Sequence, residues 1–220
     1  MKDNKYRMLL IYTLTVCIGS AFLPGVLYVS AGSSAGGEIA AIQKTYEKIE
    51  DLSGNFTQKS HIKDLNRTES FSGQFFIKRP AKIRWDYKSP DAQEILIKNG
   101  TLIIYQKKEK QAFRGKFDRG TYGQAPVALL SGFGAIEKEF SISKKNGRLF
   151  LKPKKPMGAI MSIEIEYTEG EFPIRSFIIN DSYSNRTEII LKNVKINSGL
   201  DESLFDLSLP EGVNIYEYIQ

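Results

Sequence analysis

The chain has 220 residues, of which 41% are hydrophobic and 25% charged, a balance typical of one folded domain rather than of a disordered segment. Its formal charge is +6, but basic and acidic residues are mixed along it and no nucleic-acid-reading motif occurs, so we expect no nucleic-acid partner. Cys17 is the single cysteine, which excludes an intramolecular disulfide. The aromatic share of 11% favours β structure, because large rings pack well on pleated surfaces.

The first 31 residues have the form of a secretory signal peptide. A basic start precedes an apolar run from Met8 to Leu23, and Val29-Ser30-Ala31 supplies a cleavage site with small residues. We predict cleavage after Ala31, with Ala35 as the second choice, and a flexible linker over residues 32–37. Retention of the stretch from Met8 to Val29 as a membrane anchor is the alternative, because that stretch is long enough to span a bilayer if Pro24 is tolerated.

The exported part, residues 38–220, opens with a helical pattern. Apolar side chains recur at spacings of three and four over residues 38–49, which predicts an amphipathic helix; they are Ile39, Ile42, Tyr46 and Ile49. A second short helix is predicted over Ala125–Phe133, with Pro126 in its first turn.

From Leu52 onwards the apolar period is two, which is typical of antiparallel strands. We predict strands at Asn55–His61, Phe71–Lys78, Ile83–Tyr87, Glu94–Lys98, Leu102–Tyr105, Gln111–Arg114, Phe140–Ser143, Leu149–Leu151, Ile160–Tyr167, Ile174–Ile179, Arg186–Val194 and Phe205–Leu209. Asn99-Gly100 is a strong hairpin signal, because both turn residues must accept a positive φ. A sheet this large must curl, so we expect a mainly β fold: a closed or half-closed barrel with helices on its concave side.

Residues suited to catalysis or metal binding are scarce. His61 is the single histidine and has no metal-binding or catalytic company in the sequence, so an exposed structural role is the better interpretation. The acidic pair Glu164 and Glu166 shares one strand face, which we expect to be solvated. No nucleophile elbow, phosphate loop or metal-ligand spacing occurs. We therefore expect a protein that is not an enzyme and that carries no cofactor and no metal.

One stretch is more specific than composition. Phe75-Phe76-Ile77-Lys78-Arg79-Pro80 leads to Trp85 and then to the hairpin from Asn99 to Tyr105. Together with Gly54, Phe56 and Gln58 before it and Phe205, Pro210, Gly212 and Val213 after it, this pattern resembles the LolA family of periplasmic lipoprotein carriers. The resemblance covers essentially the whole exported chain.

The resemblance implies an unclosed half β-barrel with α-helical lids over a hydrophobic cavity. Such a carrier receives the acyl chains of lipoproteins from an inner-membrane lipoprotein-releasing transporter and delivers them to an outer-membrane receptor or membrane. We expect a periplasmic monomer. A LolA-like periplasmic sensor, or a carrier of another lipid or glycolipid, stays open as the alternative, because a fold does not settle its cargo. A secreted hydrolase and a membrane-tethered structural protein are rivals from other classes.

The resemblance also implies site residues. Arg79 would be a latch that hydrogen-bonds lid backbone in the closed state; the alternative is that it only caps a strand at the surface. Phe71, Phe75, Ile77, Ile83 and Trp85 would line the cavity, although ordinary core packing would place them inside as well. The underside of the lids would come from Ile39, Ile42, Tyr46, Leu129, Leu130 and Phe133.

Overall fold

The computed structural model describes residues 36–118, 136–168 and 170–218. Helix α1 spans Gly36–Glu47 and the short helix α2 spans Ile136–Glu139. The strands are β1 (Asp51–Ile62), β2 (Arg67–Lys78), β3 (Lys82–Ser89), β4 (Gln93–Lys98), β5 (Thr101–Gln106), β6 (Gln111–Lys116), β7 (Phe140–Lys145), β8 (Arg148–Pro153), β9 (Ile160–Tyr167), β10 (Ile174–Asp181), β11 (Arg186–Ile196) and β12 (Asn214–Tyr218). A 3₁₀ helix, Glu202–Phe205, lies between β11 and β12. Within these residues, no helix is long and apolar enough to cross a bilayer.

All twelve strands belong to one sheet, in the order β12-β6-β5-β4-β3-β2-β1-β11-β10-β9-β8-β7. Most neighbours in this order are also neighbours in sequence, so two meanders run outwards from the centre. They meet where β1 pairs with β11, from Leu52 opposite Ile196 to His61 opposite Arg186. The sheet is therefore an open one with β12 and β7 at its edges, and its mainly β, unclosed architecture is confirmed.

Local turn chemistry fixes several hairpins. Asn99 and Gly100 adopt φ values of 52° and 75° between β4 and β5, and Asn146 and Gly147 do the same between β7 and β8. A positive φ at both turn residues gives the twist that two-residue hairpins need. The Asn-Gly prediction is confirmed at Asn99-Gly100.

One face of the sheet is apolar and carries α1. Because side chains alternate along a strand, Ile83, Trp85, Ile95 and Ile97 on neighbouring strands β3 and β4 all point to this face and are buried. The helix adds Ile39, Ile42 and Tyr46 to the same cluster, and Ile49, two residues after the end of the helix, joins them. The core therefore lies between α1 and the concave face of the sheet.

The C-terminal segment crosses the opposite face. The predicted strand Phe205–Leu209 is wrong: residues 202–205 form the 3₁₀ helix, and the last strand begins only at Asn214. Asp201 caps this helix by accepting a hydrogen bond from the Ser203 amide, at 2.8 Å. Phe205 is fully buried although it lies outside the main core cluster, and tertiary burial there overrides the strand propensity of the segment.

Two further expectations differ from the structure. Helix α1 begins at Gly36, so its first turn takes in the end of the stretch expected to be a linker. The sheet is not wholly antiparallel, because β12 pairs with β6 in parallel, from Asn214 opposite Gln111 to Tyr218 opposite Gly115. The second predicted helix, Ala125–Phe133, lies outside the described residues.

Candidate functional site

The concave face of β1 to β3 carries a cluster of stacked aromatic rings. The Phe56 ring stacks on Trp85 with the centroids 3.9 Å apart, and Phe75 lies on the same indole at 5.6 Å. Tyr87 meets the edges of Phe56 and Phe71 at 5.1 and 5.8 Å. Such pairs contribute beyond the area that they bury. This aromatic cluster gives the concave face an apolar surface at the centre of the sheet.

Two glycines make room for the rings. A Cβ on Gly73 would lie 1.9 Å from the carbonyl oxygen of Asp86 and 2.7 Å from the Phe56 ring. A Cβ on Gly54 would lie 2.9 Å from the Phe75 ring. Each glycine faces its phenylalanine across the β1–β2 pair. The missing side chains let the rings lie flat against the backbone.

Polar groups border the aromatic cluster without interrupting it. The Tyr87 hydroxyl donates a hydrogen bond to Gln58 Oε1 at 2.9 Å. Burial raises the pKa of Tyr87 to about 12, although its hydrogen bonds oppose the shift. The phenol therefore stays protonated at any physiological pH and remains a donor.

Helix α1 packs on the same apolar face of the sheet. Ile39, Ile42 and Tyr46 are each less than 7% exposed, and the Tyr46 ring lies 5.7 Å from Phe172 in the β9–β10 turn. Burial raises the pKa of Tyr46 well above its usual value, while the charge of Arg79 opposes this. The apolar stripe of the helix is thus fully used against the sheet.

Arg79 reaches the end of α1 from the turn after β2. Its Nη2 donates to the carbonyl oxygen of Tyr46 and its Nη1 to that of Glu47 at 3.4 Å. Its backbone N–H donates to the Glu50 carbonyl at 2.9 Å. The last carbonyls of a helix have no partner within it, and a cation there also interacts favourably with the helix dipole. The residue as a whole is exposed, but its guanidinium is bound to α1.

A second polar group anchors the same helix end. Asn197, the residue after β11, accepts a hydrogen bond from the Glu50 N–H at 2.7 Å and donates to the Lys48 carbonyl at 3.0 Å. Asp51 fixes the turn that holds it, because its carboxylate accepts the backbone N–H groups of Ser198 and Gly199, each at 2.8 Å.

These bonds also set the charge state of Asp51. Desolvation of the buried carboxylate would raise its pKa, but the backbone hydrogen bonds of residues 198–200 outweigh it and lower the pKa below the usual value. Asp51 is therefore ionised at neutral pH and serves as a structural anion.

A small pocket opens where α1 meets the sheet. It is lined by Tyr46, Ile49, Glu50, Asp51, Leu52, Ile77 and Arg79. Apolar side chains and the charged Glu50, Asp51 and Arg79 both contribute to its lining. In residues 36–118, 136–168 and 170–218, no three His, Cys, Asp or Glu side chains come together as a metal site would require.

The structure brings most of the residues singled out from sequence together on the concave face. Phe75, Ile77, Ile83 and Trp85 are buried there, and Phe71 is half-buried at the far side of Tyr87. Ile39, Ile42 and Tyr46 line the underside of α1. Leu129, Leu130 and Phe133 lie outside the described residues. Whether these side chains form a cargo cavity and a latch stays a prediction.

Sequence reasoning missed four contributors to this site: Asp51, Phe56, Tyr87 and Asn197. Phe56 and Tyr87 share the alternation of their strands, so the pattern could have found them. Asp51 and Asn197 act through backbone hydrogen bonds between segments nearly 150 residues apart, and no local sequence signal encodes such a contact.

Comparison with known proteins adds a family. Residues 47–208 match the sequence profile of the family described as outer membrane lipoprotein carrier protein LolA. The chain belongs to the LolA family. The LolA match spans β1 to the residues just after the 3₁₀ helix, and so includes the whole aromatic cluster and Arg79.

Curated relatives of the LolA family carry the same description. The chain is 28% identical to the outer-membrane lipoprotein carrier protein of Halorhodospira halophila over 87% of this chain and 91% of that one. It is 29% identical to the protein of the same description from Methylococcus capsulatus, over 76% and 81%. The family is thus named for carriage of lipoproteins and not for a catalysed reaction.

Solved structures share the fold at low identity. The crystal structure of a LolA superfamily protein from Nitrosomonas europaea superposes with a TM-score of 0.51 over 80% of this chain and 99% of that one, at 12% identity. An uncharacterised conserved protein from Thermus thermophilus gives 0.52 over 84% and 100%, at 10% identity. These likenesses support the open-sheet architecture.

Proposed function

We propose that this protein carries lipoproteins through the periplasm by holding their acyl chains between α1 and the concave face of the sheet. The supporting observation is the way the lid is held. The apolar stripe of α1 packs on the apolar face of the sheet, whereas the C-terminal end of the helix is fixed by polar contacts from Arg79 and Asn197. A lid of this kind can exchange one apolar partner for another.

The energies make the exchange reversible. Burying a large apolar side chain contributes about 1.5–3 kcal/mol, so displacing Ile39, Ile42 and Tyr46 of α1 together with Ile49 just after it costs about 6–12 kcal/mol. An acyl chain of ~16 carbons gains roughly 12 kcal/mol if each methylene contributes ~0.8 kcal/mol. Because the two terms are similar, cargo can be taken up without being trapped.

Arg79 sets the balance in this proposal. Its hydrogen bonds exist in the closed, empty state and are lost when α1 lifts. They therefore favour release of the cargo to an acceptor of higher affinity, such as an outer-membrane receptor or membrane. The donor would be an inner-membrane lipoprotein-releasing transporter.

The decisive experiment begins with mass spectrometry of what co-purifies with the native protein from the periplasm. We expect triacylated lipoprotein, and a different lipid or glycolipid would replace the proposed cargo. Arg79→Leu should load lipoprotein as fully as wild type but transfer it at least about tenfold more slowly to an acceptor, since it loses the closed-state contacts. Arg114→Leu, at the surface of β6, is the matched control and should transfer normally. Equal transfer rates for wild type and Arg79→Leu would refute the latch.

A further inference from the structure

Five large apolar side chains are exposed among the described residues, and three of them lie at the same end of the sheet. Leu65 is 60% exposed in the β1–β2 turn, Met161 53% at the start of β9, and Tyr183 41% in the β10–β11 turn. Exposed apolar residues scattered singly are ordinary on protein surfaces. A group of three, two on neighbouring turns and one at the start of β9, is a patch that indicates a partner.

Hydrogen bonds join these turns into one surface. The Lys63 N–H donates to Asn185 Oδ1 at 2.9 Å, which ties the β1–β2 turn to the β10–β11 turn. The Ser182 N–H donates to the Ala159 carbonyl at 2.9 Å, which ties the latter turn to the segment before β9. We call residues 62–67, 154–161 and 181–186 together the hairpin end.

The hairpin end projects beyond the strands on one side. Strand β3 ends at Ser89, which pairs with Ser72, whereas β2 continues back to Arg67. The five further residues extend the hairpin by about 17 Å at ~3.4 Å per residue. Leu65 therefore stands clear of the β3–β6 side and can touch a flat surface.

The charge of this surface is positive. Its five cationic side chains are Lys63, Arg67, Lys154, Lys155 and Arg186, and two acidic ones, Asp64 and Asp181, oppose them. Arg67 and Arg186 also form ion pairs with Glu69 and Glu188, just outside these ranges, at 2.5 and 3.7 Å. The net charge of the 20 residues is +3, and it is +1 when the paired Glu69 and Glu188 are included. Apolar tips ringed by Lys and Arg match an interface whose outer layer is anionic and whose interior is hydrocarbon.

The hairpin end also leaves the proposed lid free. Leu65 lies just before the start of β2 and Arg79 just after its end, so the 12-residue strand separates them by about 40 Å at ~3.4 Å per residue. A surface bound at the hairpin end does not meet the end of α1. Docking and lid opening can therefore occur together.

We propose that the hairpin end docks this protein onto the surface of an anionic phospholipid bilayer. Leu65 and Met161 enter the boundary between headgroups and acyl chains, the Tyr183 ring lies at headgroup level, and the cations meet lipid phosphates. The contact is peripheral and reversible, because the apolar area is small and the electrostatic part is screened by salt.

A position-specific fluorophore tests this contact directly. Cys17 is the only cysteine and lies in the segment predicted to be removed, so the processed chain can carry one environment-sensitive label at Leu65→Cys, at Tyr183→Cys, or at the control Ile215→Cys. Ile215 is 46% exposed, but it lies on β12, which four other strands separate from β2. Each labelled chain is mixed with vesicles of phosphatidylcholine alone, or of phosphatidylcholine with about 30% phosphatidylglycerol. The second mixture carries ~1 negative charge per 3 lipids and so resembles an anionic membrane.

We expect blue-shifted emission at positions 65 and 183 with anionic vesicles, little shift at 215, and reversal by 0.5 M salt, where the screening length falls to roughly 4 Å. The double variant Lys63→Glu, Arg186→Glu should reduce the vesicle-bound fraction about tenfold or more, with an unchanged circular dichroism spectrum. The absence of a shift at positions 65 and 183, an equal shift at 215, or equal binding to neutral vesicles would overturn the proposal and leave the patch to a protein partner. Acyl-chain capture is measured on the same variants and should persist, which separates this result from the proposed carrier function.

Discussion

At the residue scale, the aromatic cluster depends on what Gly73 lacks. We expect Gly73→Ala to destabilise the protein by about 3 kcal/mol or more, because overpacking typically costs 1–3 kcal/mol and here the added carbon meets a backbone oxygen at 1.9 Å. Urea unfolding measures the change in free energy. Gly37→Ala is the control, since nothing lies within 4 Å of its added Cβ and alanine favours the helix. A Gly73→Ala chain as stable as wild type would contradict the close approach of β2 to the Asp86 carbonyl.

Asp51 gives the protein a defined acid sensitivity. A carboxyl whose pKa is lower in the folded chain adds stability that is fully present above the unfolded pKa, about 3.9, and is lost as the pH falls through the folded pKa. The hydrogen bonds to residues 198–200 lower the pKa of Asp51 in this way. Stability should therefore decline below about pH 4.

The variant Asp51→Asn isolates this contribution. At pH 7 it should unfold about 2–3 kcal/mol more easily, because hydrogen bonds to a charged group contribute ~1.5–3 kcal/mol and the amide offers a donor where an acceptor is needed. The difference from wild type should shrink as the pH is lowered towards 2. A difference that is constant with pH in parallel urea titrations would show that the charge of Asp51 plays no part.

At the element scale, the C-terminal segment is held to the convex face by Phe205. Phe205→Ala should cost about 3–5 kcal/mol, as truncation of a fully buried phenylalanine commonly does, while acyl-chain capture on the opposite face stays intact. Thermal unfolding followed by circular dichroism provides the measurement. Ile215→Ala, an exposed position in the same segment, is expected to change little. A loss of the proposed acyl-chain capture by Phe205→Ala protein that is still folded would contradict this separation of the two faces.

A secondary-structure element can be predicted from sequence when the residues that encode it lie close together in the chain. The faultless alternation of Met161 to Tyr167 predicted β9, and Asn99-Gly100 predicted the β4–β5 turn, because both signals lie within a few residues. The segment from Phe205 to Leu209 has strand-like composition too, yet its conformation is decided by a hydrophobic contact with distant strands. The site divides in the same way: Trp85 and Ile83 follow from alternation, whereas Asn197 and Asp51 depend on the pairing of β1 with β11.

At the scale of the whole molecule, the β1–β11 pairing joins the two meanders. We expect unfolding to be a single cooperative transition, because neither half can keep its concave face covered without the other. Trp85, the single tryptophan, lies in β3 and reports one half by fluorescence, whereas far-ultraviolet circular dichroism reports the whole sheet. The two urea curves should coincide. Separate midpoints would mean that the halves are independent folding units.

The late arrival of β11 has a consequence for how the chain is made. His61 and its partner Arg186 are 125 positions apart, so β1 emerges well before its partner strand, whether from a ribosome or on the far side of a membrane. Throughout that interval one side of β1 is an open edge, the kind of surface on which nascent chains aggregate. Leu52, Phe56 and Ile62 are the only aliphatic or aromatic side chains among the twelve residues of β1. A strand this hydrophilic is suited to remaining solvated until its partner strand can pair with it.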